Sequence, residues 1–367
     1  MKKFLVVFVI LLSVLSLATI KIGVVLPMTG GIAAFGRMVW EGVEVAHELF
    51  PDVNGETIEL TIFDNRSDKI EAANAVRRAI DVGNVSAILG EVASSYSLAG
   101  GAVAEEKKTP MVTPSSTNPL VTSGKKYVSR VCFIDPFQGW AAAVLAFENL
   151  GVRNVAIFMD VEQDYAVGLA NFFMQTFQEL GGQVFFEYYK SGDQDFTAQI
   201  SDAMLTGAEA LFIPGYYQEI ALIAIQARQL GFFGPLITGD GADAPETISI
   251  GGDAVNGLYF TTHYHPDSPA VTENAKLFLE RYTEKFNKIP AALSALGFDA
   301  YMVIRDAIMR AGSADREAIA QAIRSTTNFP GATGIINIDN EGNAVKSVAI
   351  VKIEDGQFKY ETTINPR

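Results

Sequence analysis

The sequence has one cysteine, Cys132, and three histidines among 367 residues. A single cysteine excludes an intramolecular disulfide, even in a compartment where disulfides form. His263 and His265 are neighbours in the sequence, but a zinc site needs three or four clustered ligands and no cysteine or glutamate pair lies near them. We therefore expect no metal site, and we expect the stability of the fold to come from packing alone.

The motifs that mark several common enzyme classes are also missing. The chain has no GxSxG nucleophile elbow, no GxxxxGK phosphate loop and no GxGxxG fingerprint after its first strand. Residues 339–343 contain acidic side chains and a glycine, but they lack the spacing and the final glutamate of a calcium loop, so a tight hairpin turn fits them better. We expect neither catalysis nor a cofactor.

Basic residues are scarce relative to acidic ones. The chain has 28 lysines and arginines against 42 aspartates and glutamates, a formal net charge of -14. An acidic surface repels phosphate backbones and anionic lipids, so we expect no nucleic-acid partner and no electrostatic docking on a membrane. A content of 49% hydrophobic residues in a chain of this length predicts two cores of ordinary size.

The apolar run near the N-terminus is too short for a membrane-spanning helix. Two lysines precede the apolar residues 4–17, whereas a span needs about 20 apolar residues. Ser16 and Ala18 place small side chains where a signal peptidase needs them. We predict that residues 1–18 are a cleaved signal peptide and that the protein is exported to the periplasm or its equivalent. A retained N-terminal anchor is the alternative.

Beyond residue 18, short apolar runs alternate with amphipathic segments of helical length, and Gly, Pro, Asn or Asp mark the boundaries. Strands are predicted near residues 20–26, 57–63, 87–89, 111–113, 155–159, 184–188, 210–213 and 236–238. Helices are predicted near residues 34–50, 69–82, 95–107, 137–150, 165–180, 196–205, 219–230, 272–287, 292–311 and 315–325. Continuous apolar strands alternating with helices predict two α/β units with parallel sheets. Because no Pro- or Gly-rich linker separates the units, several chain crossings should join them.

Polar residues follow the predicted strands of the first unit, at the edge where open parallel sheets bind ligands. Ser94 lies where a helix begins after the strand that ends near Gly90. Ser115 and Thr117 follow the next strand, so hydroxyl and backbone groups should meet at one edge and favour a bound carboxylate. The alternatives are that Ser94 only caps its helix and that the second loop is an ordinary polar turn.

The strand ends of the second unit carry aromatic and acidic residues. Tyr165 opens a helix after one strand, while Tyr216 and Asp240 follow two later strands. An ammonium group removed from water needs a carboxylate beside it, and Asp240 stands between two glycines that allow close approach of the backbone. Asp240 could instead be a turn aspartate, and tyrosines at helix starts could serve packing.

Four segments together resemble the leucine/isoleucine/valine-binding proteins of periplasmic binding-protein fold type I. They are residues 23–42 (GVVLPMTGGIAAFGRMVWEG), 90–120 (GEVASSYSLAGGAVAEEKKTPMVTPSSTNPL), 164–170 (DYAVGLA) and 215–219 (GYYQE). The resemblance spans essentially the whole chain after residue 18. It implies two Rossmann-like α/β lobes joined by three crossings and a solute-binding role in an ABC transporter.

The resemblance also implies roles for individual residues. The ligand carboxylate would meet Ser94 and Thr117, and the ligand ammonium would meet the Ser115 carbonyl, Thr117 and Asp240. The family usually has glutamate at the position of Asp240, so the contact could be direct or through water. The remaining expected walls of the site are Phe35, Val92, Ala93, Tyr165, Tyr216 and Leu293. Ala93 stands where family members often have a cysteine.

The implied organisation is one lobe of residues 19–132 plus 265–335 and a second lobe of residues 133–264 plus 336–367. The crossings are expected near residues 132–136, 261–264 and 333–343. The implied partners are an L-amino acid and a membrane permease, and the protein is expected to be a monomer. Apolar walls favour leucine, isoleucine and valine, with phenylalanine as a further candidate. The alternative function is a ligand-sensing receptor or regulatory domain of the same fold that binds small amides or amino acids.

Overall fold

The computed structural model describes residues 19–268 and 272–366. The predicted signal peptide, residues 1–18, lies outside the described residues. Within them, no helix is both long and apolar enough to cross a membrane.

The described residues form two large sheets and one small hairpin. The strands are β1 (Thr19–Leu26), β2 (Asp52–Val53), β3 (Glu56–Asp64), β4 (Ala87–Gly90), β5 (Met111–Thr113), β6 (Val128–Arg130), β7 (Asn154–Asp160), β8 (Gln183–Tyr189), β9 (Ala210–Ile213), β10 (Leu236–Thr238), β11 (Tyr259–Thr262), β12 (Phe329–Gly331), β13 (Gly334–Ile336), β14 (Val348–Glu354) and β15 (Gln357–Ile364). The first sheet has the order β2-β3-β1-β4-β5-β6, and the second has the order β15-β14-β11-β10-β9-β7-β8.

Helices cover both large sheets. They are α1 (Ala33–Leu49), α2 (Lys69–Asp81), α3 (Ser94–Glu106), α4 (Asp135–Val144), α5 (Asp164–Glu179), α6 (Thr197–Leu205), α7 (Tyr217–Gln229), α8 (Pro245–Gly251), α9 (Glu273–Phe286), α10 (Ala292–Ala311) and α11 (Arg316–Arg324). Most predicted elements start and end within two residues of these bounds. The predicted helix over 137–150 differs in its form. The α-helix α4 begins earlier, at Asp135, and ends at Val144, and a π-helical segment, Leu145–Asn149, continues it.

The prediction of parallel sheets is correct for the strands joined by helical crossovers, and it is wrong at the sheet edges. β2 is antiparallel to β3, and β14 is antiparallel to both β11 and β15. Asp355 and Gly356 join β14 to β15 in a turn where both have positive φ, 52° and 69°. A two-residue turn of this kind can connect only antiparallel strands. β6 and β11 were not predicted as strands.

The helices after residue 272 pack on the core beside the first sheet. Phe278 of α9, Phe298 of α10 and Ile319 of α11 are fully buried in that core. Gly42 on α1 allows the closest helix contact, because a Cβ atom at this position would lie 1.8 Å from the carbonyl oxygen of Ser294 on α10. The two helix backbones therefore touch, and α10 becomes part of the first core although it lies in sequence between β11 and β14 of the second sheet.

The chain passes between the two sheets at three places in the described residues: after β6, after β11 and before β14. Ile338 and Ala344 form an antiparallel bridge and pack in the core beside the first sheet, which confirms the predicted hairpin turn over residues 339–343. The Arg130 amide donates to the Gly342 carbonyl at 2.8 Å, so the first and third passages run side by side.

Candidate ligand-binding site

A small cavity lies between the carboxyl ends of the two sheets. Nine of the ten predicted site residues line it. The lining residues are Phe35, Val92, Ala93, Ser94, Ser115, Tyr165, Tyr216, Asp240, Gly241 and Leu293. The fold therefore brings together residues that are up to 258 positions apart in the sequence, from Phe35 to Leu293.

The start of α3 forms the polar side of the cavity nearest the first sheet. Ser94 is the first residue of this helix, and its hydroxyl accepts a hydrogen bond from the Asn118 amide at 3.2 Å. Ala93 holds the cap position and makes no side-chain cap, so Ser94 does not have the capping role that was its alternative. Because the first amides of a helix have no partner inside the helix, this end can receive an anion.

The loop after β5 is fixed by hydrogen bonds to the loop after β4. The Ser115 hydroxyl donates to the Val92 carbonyl at 3.0 Å, and the Ser116 hydroxyl donates to the same oxygen at 2.9 Å. The Thr113 hydroxyl donates to the neighbouring Glu91 carbonyl at 2.5 Å. These bonds hold the loop that carries Ala93 without a disulfide, and they use the Ser115 hydroxyl within the protein.

Thr117 is the one predicted residue that does not line the cavity. Its side chain is buried, and its hydroxyl has no hydrogen-bond partner among the described residues. Its carbonyl accepts from the amide of Asp135, which begins α4. Thr117 therefore links the first sheet to the first passage, and its contact with a ligand stays a prediction.

Asp240 lies across the cavity from Ser94 and is held by three side-chain donors. Its Oδ1 atom accepts from Gln138 Nε2 and from the Tyr165 hydroxyl, each at 2.8 Å. His263 Nε2 lies 3.0 Å from its Oδ2 atom. A Cβ atom at Gly239 would lie 2.3 Å from the Tyr165 hydroxyl oxygen, so this glycine makes room for the donors.

The remaining walls are apolar or aromatic. The rings of Tyr165 and Tyr216 stack with centroids 5.6 Å apart, and Phe35 meets the edge of Tyr216 at 5.6 Å. Val92, Leu293 and these rings are buried or nearly so. Among the described residues that line the cavity, Asp240 is the only one with a formal charge.

Direct contacts join the two sides at the mouth of the cleft. The Ser95 hydroxyl donates to Asp164 Oδ2 at 2.8 Å and accepts from the Asp164 amide at 2.9 Å. Asn118 Nδ2 donates to the Asp164 carbonyl at 2.8 Å. The Tyr217 hydroxyl donates to the Gly31 carbonyl at 2.9 Å. The structure therefore has a closed cleft, with the cavity inside it.

A family model described as periplasmic binding protein matches residues 19–357, nearly the whole described chain. The chain belongs to the periplasmic binding protein family. The leucine-binding protein LivK of Thermotoga maritima has a similar structure, with 63% identity, a TM-score of 0.93 and coverage of 95% of this chain and 99% of that one. The match agrees with the fold-type-I architecture predicted from the four sequence segments.

Two further proteins are similar to this chain over most of its length. The branched-chain amino acid transporter substrate-binding protein LivJ of Streptococcus pneumoniae, solved with isoleucine, is 28% identical with a TM-score of 0.89, and the match covers 95% of this chain and all of that one. The leucine-, isoleucine-, valine-, threonine- and alanine-binding protein of Pseudomonas aeruginosa is 31% identical over 89% of this chain and 87% of its own. Each of these three relatives of this periplasmic binding protein is named for, or was solved with, a branched-chain amino acid, and LivJ is the substrate-binding protein of a branched-chain amino acid transporter.

Sequence reasoning missed several residues of the site in this periplasmic binding protein. Gln138 carries no motif, and only the fold brings it from α4 to Asp240. The sequence suggests for His263 only a metal-ligand role together with His265. In the structure His263 lies beside Asp240, whereas His265 lies beside the Phe358 carbonyl. No group of three or more metal-binding side chains occurs in residues 19–268 and 272–366.

Two buried carboxyl groups lie close to the site. Burial raises the pKa of Asp135 to about 8 and that of Asp243 to about 7. The Thr262 hydroxyl donates to Asp243 at 2.5 Å and opposes the rise in its pKa. The Thr117 hydroxyl likewise opposes the rise in the pKa of Asp135, although its contact with the carboxyl does not reach hydrogen-bond geometry. Asp135 therefore favours the neutral form at neutral pH, whereas Asp243 titrates close to neutral pH.

Proposed function

We propose that this protein binds an aliphatic L-amino acid between its two lobes and delivers it to the permease of an ABC transporter. The observation that carries the proposal is the position of Asp240 opposite the start of α3. A carboxylate on one side and helix amides with Ser94 on the other are complementary to the ammonium and carboxylate groups of a zwitterion. A sugar or a neutral amide would leave the Asp240 charge without a cation.

The walls of the cavity support an aliphatic side chain. The ligand side chain would pack on Phe35, Val92, Tyr165, Tyr216 and Leu293, none of which carries a charge. The relatives named above bind leucine, isoleucine or valine according to their names or their bound ligand, which also supports an aliphatic side chain. We place leucine, isoleucine and valine first and phenylalanine, which could stack on the tyrosines, next.

Binding would begin on the lobe that carries Ser94, Ser115 and Thr117 and would end when Asp240 closes over the ammonium. Because the ligand would contact Asp240 only in the closed state, ligand binding would favour that state. We propose lobes of residues 19–132 plus 265–335 and 133–264 plus 336–367, although Ile338 packs with the first core. Residues 1–18 would direct export and would then be cleaved. The protein would act as a monomer and would catalyse no reaction.

The alternative of a ligand-sensing receptor domain has less support. One of the named relatives, LivJ, is the substrate-binding protein of a transporter, and all three match this chain over most of both lengths. No observation on the described residues favours a signalling partner over a permease.

A thermal-shift panel of the twenty amino acids with small amides and sugars tests the proposal, followed by calorimetry on each hit. Leucine, isoleucine or valine at 100 times its Kd should stabilise the folded state by about 2.7 kcal/mol. Asp240→Ala should weaken binding by about 3–5 kcal/mol, because the ligand ammonium would be buried without its partner. The exposed Asp253→Ala is the matched control and should bind as wild type does. Unchanged affinity in Asp240→Ala, or a preference for sugars, would contradict the proposal.

A further inference from the structure

His263 is one of the residues that hold Asp240, and the role inferred for it rests on the proposed function. Asp240 receives its three donors from different parts of the chain: Gln138 in α4, Tyr165 in α5 and His263 just after β11. Gln138 Nε2 also contacts the Thr261 hydroxyl at 2.9 Å. Two of the three donors therefore lie beside the first and second passages between the sheets.

His263 is enclosed on every side. Its side chain is 1% exposed, and its ring stacks on Phe133 with centroids 3.7 Å apart and an interplanar angle of 28°. Phe133 belongs to the first passage and His263 to the second, so this stack joins the two passages directly. The Nε2 atom faces Asp240, while the Nδ1 atom is buried without a hydrogen-bond partner among the described residues.

This arrangement selects one form of the imidazole. A carboxylate oxygen can only accept, so a hydrogen bond between Asp240 Oδ2 and His263 Nε2 requires the hydrogen on Nε2. A hydrogen on Nδ1 would be buried without an acceptor, which is costly. His263 is therefore neutral with the hydrogen on Nε2.

The charged groups around His263 support the same form. Burial lowers the pKa of His263, the nearby ammonium of Lys346 lowers it further, and the carboxylate of Asp240 opposes both. Lys346, on the third passage, is itself buried and lies 3.9 Å from Asp299 Oδ2. A second proton on His263 would create a buried cation between Asp240 and Lys346.

We propose that His263 is a positioning residue for the ammonium-binding carboxylate: it holds Asp240 Oδ2 through a neutral N–H group and so leaves the negative charge available to the ligand. An arginine or lysine at this place would hold the carboxylate but would neutralise it and compete with the ligand ammonium. A neutral donor fixes Asp240, which is shorter than the glutamate usual in the family, and does not compete with the ligand ammonium. Protonation of His263 at low pH would introduce the same competition.

The test compares leucine with isocaproate, which is leucine without the ammonium group, in wild type and in His263→Leu and His263→Gln. His263→Leu removes the donor and should weaken leucine binding about tenfold or more, while isocaproate affinity changes less than about twofold. His263→Gln keeps an N–H donor and should restore leucine affinity to within about threefold of wild type. Because burial lowers the pKa of His263, a loss of leucine affinity caused by its protonation should appear only below about pH 6.5, in wild type and not in His263→Gln.

Equal loss of both ligands in His263→Leu would overturn the proposal. Nitrogen-15 NMR of wild-type His263 provides a second measurement that needs no substitution and no ligand. The expected spectrum at neutral pH is that of the neutral Nε2–H form, and either the Nδ1–H form or the imidazolium would also overturn the proposal. If wild type binds neither leucine nor any other amino acid, the proposed function fails, whereas the NMR result still decides whether a neutral His263 holds Asp240.

Discussion

The Tyr165 hydroxyl joins the Asp240 carboxylate to the backbone of the same loop. It donates to Asp240 Oδ1 at 2.8 Å and accepts from the Gly241 amide at 3.4 Å. The Tyr165 ring at the same time stacks on Tyr216 as part of the apolar wall. One side chain therefore orients the charged group and shapes the space for the ligand side chain.

Removal of this hydroxyl should weaken amino-acid binding without changing the shape of the wall. In Tyr165→Phe, Asp240 keeps Gln138 and His263 but loses one hydrogen bond to a charged group, which is worth about 1.5–3 kcal/mol. We expect leucine affinity, measured by calorimetry, to fall at least about tenfold. Tyr188→Phe, at an exposed tyrosine, is the control. Equal affinities in the two variants would show that the hydroxyl does not orient Asp240.

The contact between Ser95 and Asp164 should slow the release of a ligand. Two hydrogen bonds link these residues across the mouth of the cleft, and they can form only when it is closed. Because each of the two bonds contributes about 0.5–1.5 kcal/mol, Ser95→Ala should raise the dissociation rate by about fivefold to 150-fold with little change in the association rate. Stopped-flow fluorescence would measure both rates. Ser123→Ala, at an exposed serine, should leave them unchanged.

The buried carboxyl of Asp135 should make stability depend on pH. Burial raises its pKa to about 8, whereas an unfolded aspartate has a pKa of about 3.9. Between these values the folded state binds the proton and the unfolded state does not, so the free energy of unfolding falls as pH rises. This one group contributes a slope of up to about 1.4 kcal/mol per pH unit.

Asp135→Asn should therefore flatten the pH dependence of stability between about pH 4 and pH 8. It should also make the protein more stable than wild type near the upper end of that window. Urea unfolding followed by circular dichroism at several pH values would measure the effect. Parallel curves for wild type and variant would mean that Asp135 is not protonated in the folded state.

Gly42→Ala should destabilise the packing of α1 against α10. The added Cβ atom would lie 1.8 Å from the Ser294 carbonyl oxygen, and backbone cannot move aside as a flexible side chain can. Overpacking of this kind costs about 1–3 kcal/mol in urea unfolding. Gly101→Ala, also within a helix, has its nearest side-chain contact at 3.4 Å and should be neutral or slightly stabilising. Similar stabilities for the two variants would rule out the close approach.

Local pattern was sufficient to predict most of the secondary structure. Continuous apolar runs such as β9 and amphipathic segments such as α2 identify themselves, since each must bury one side or both. β6 and β11 are three and four residues long, and β11 carries two threonines, so their pairing depends on neighbouring strands and not on their own sequences. The antiparallel pairing of β14 with β11 likewise depends on which strand β14 meets, whereas a local turn pairs β14 with β15.

The sequence by itself predicted the α/β class and the polar loops at the strand ends, because the alternation of elements and the chemistry of a loop are local properties. Four of the cavity residues, Phe35, Val92, Ala93 and Leu293, were indicated only by the resemblance to a known family. Only the tertiary structure decided how Asp240 is held. Gln138, Tyr165 and His263 are separated by as many as 125 residues, and no spacing in the sequence brings their hydrogen-bonding atoms to one carboxylate. Hydrogen bonds need atoms within about 3 Å, and a chain reaches such precision over that separation only through the packing of its passages and sheets.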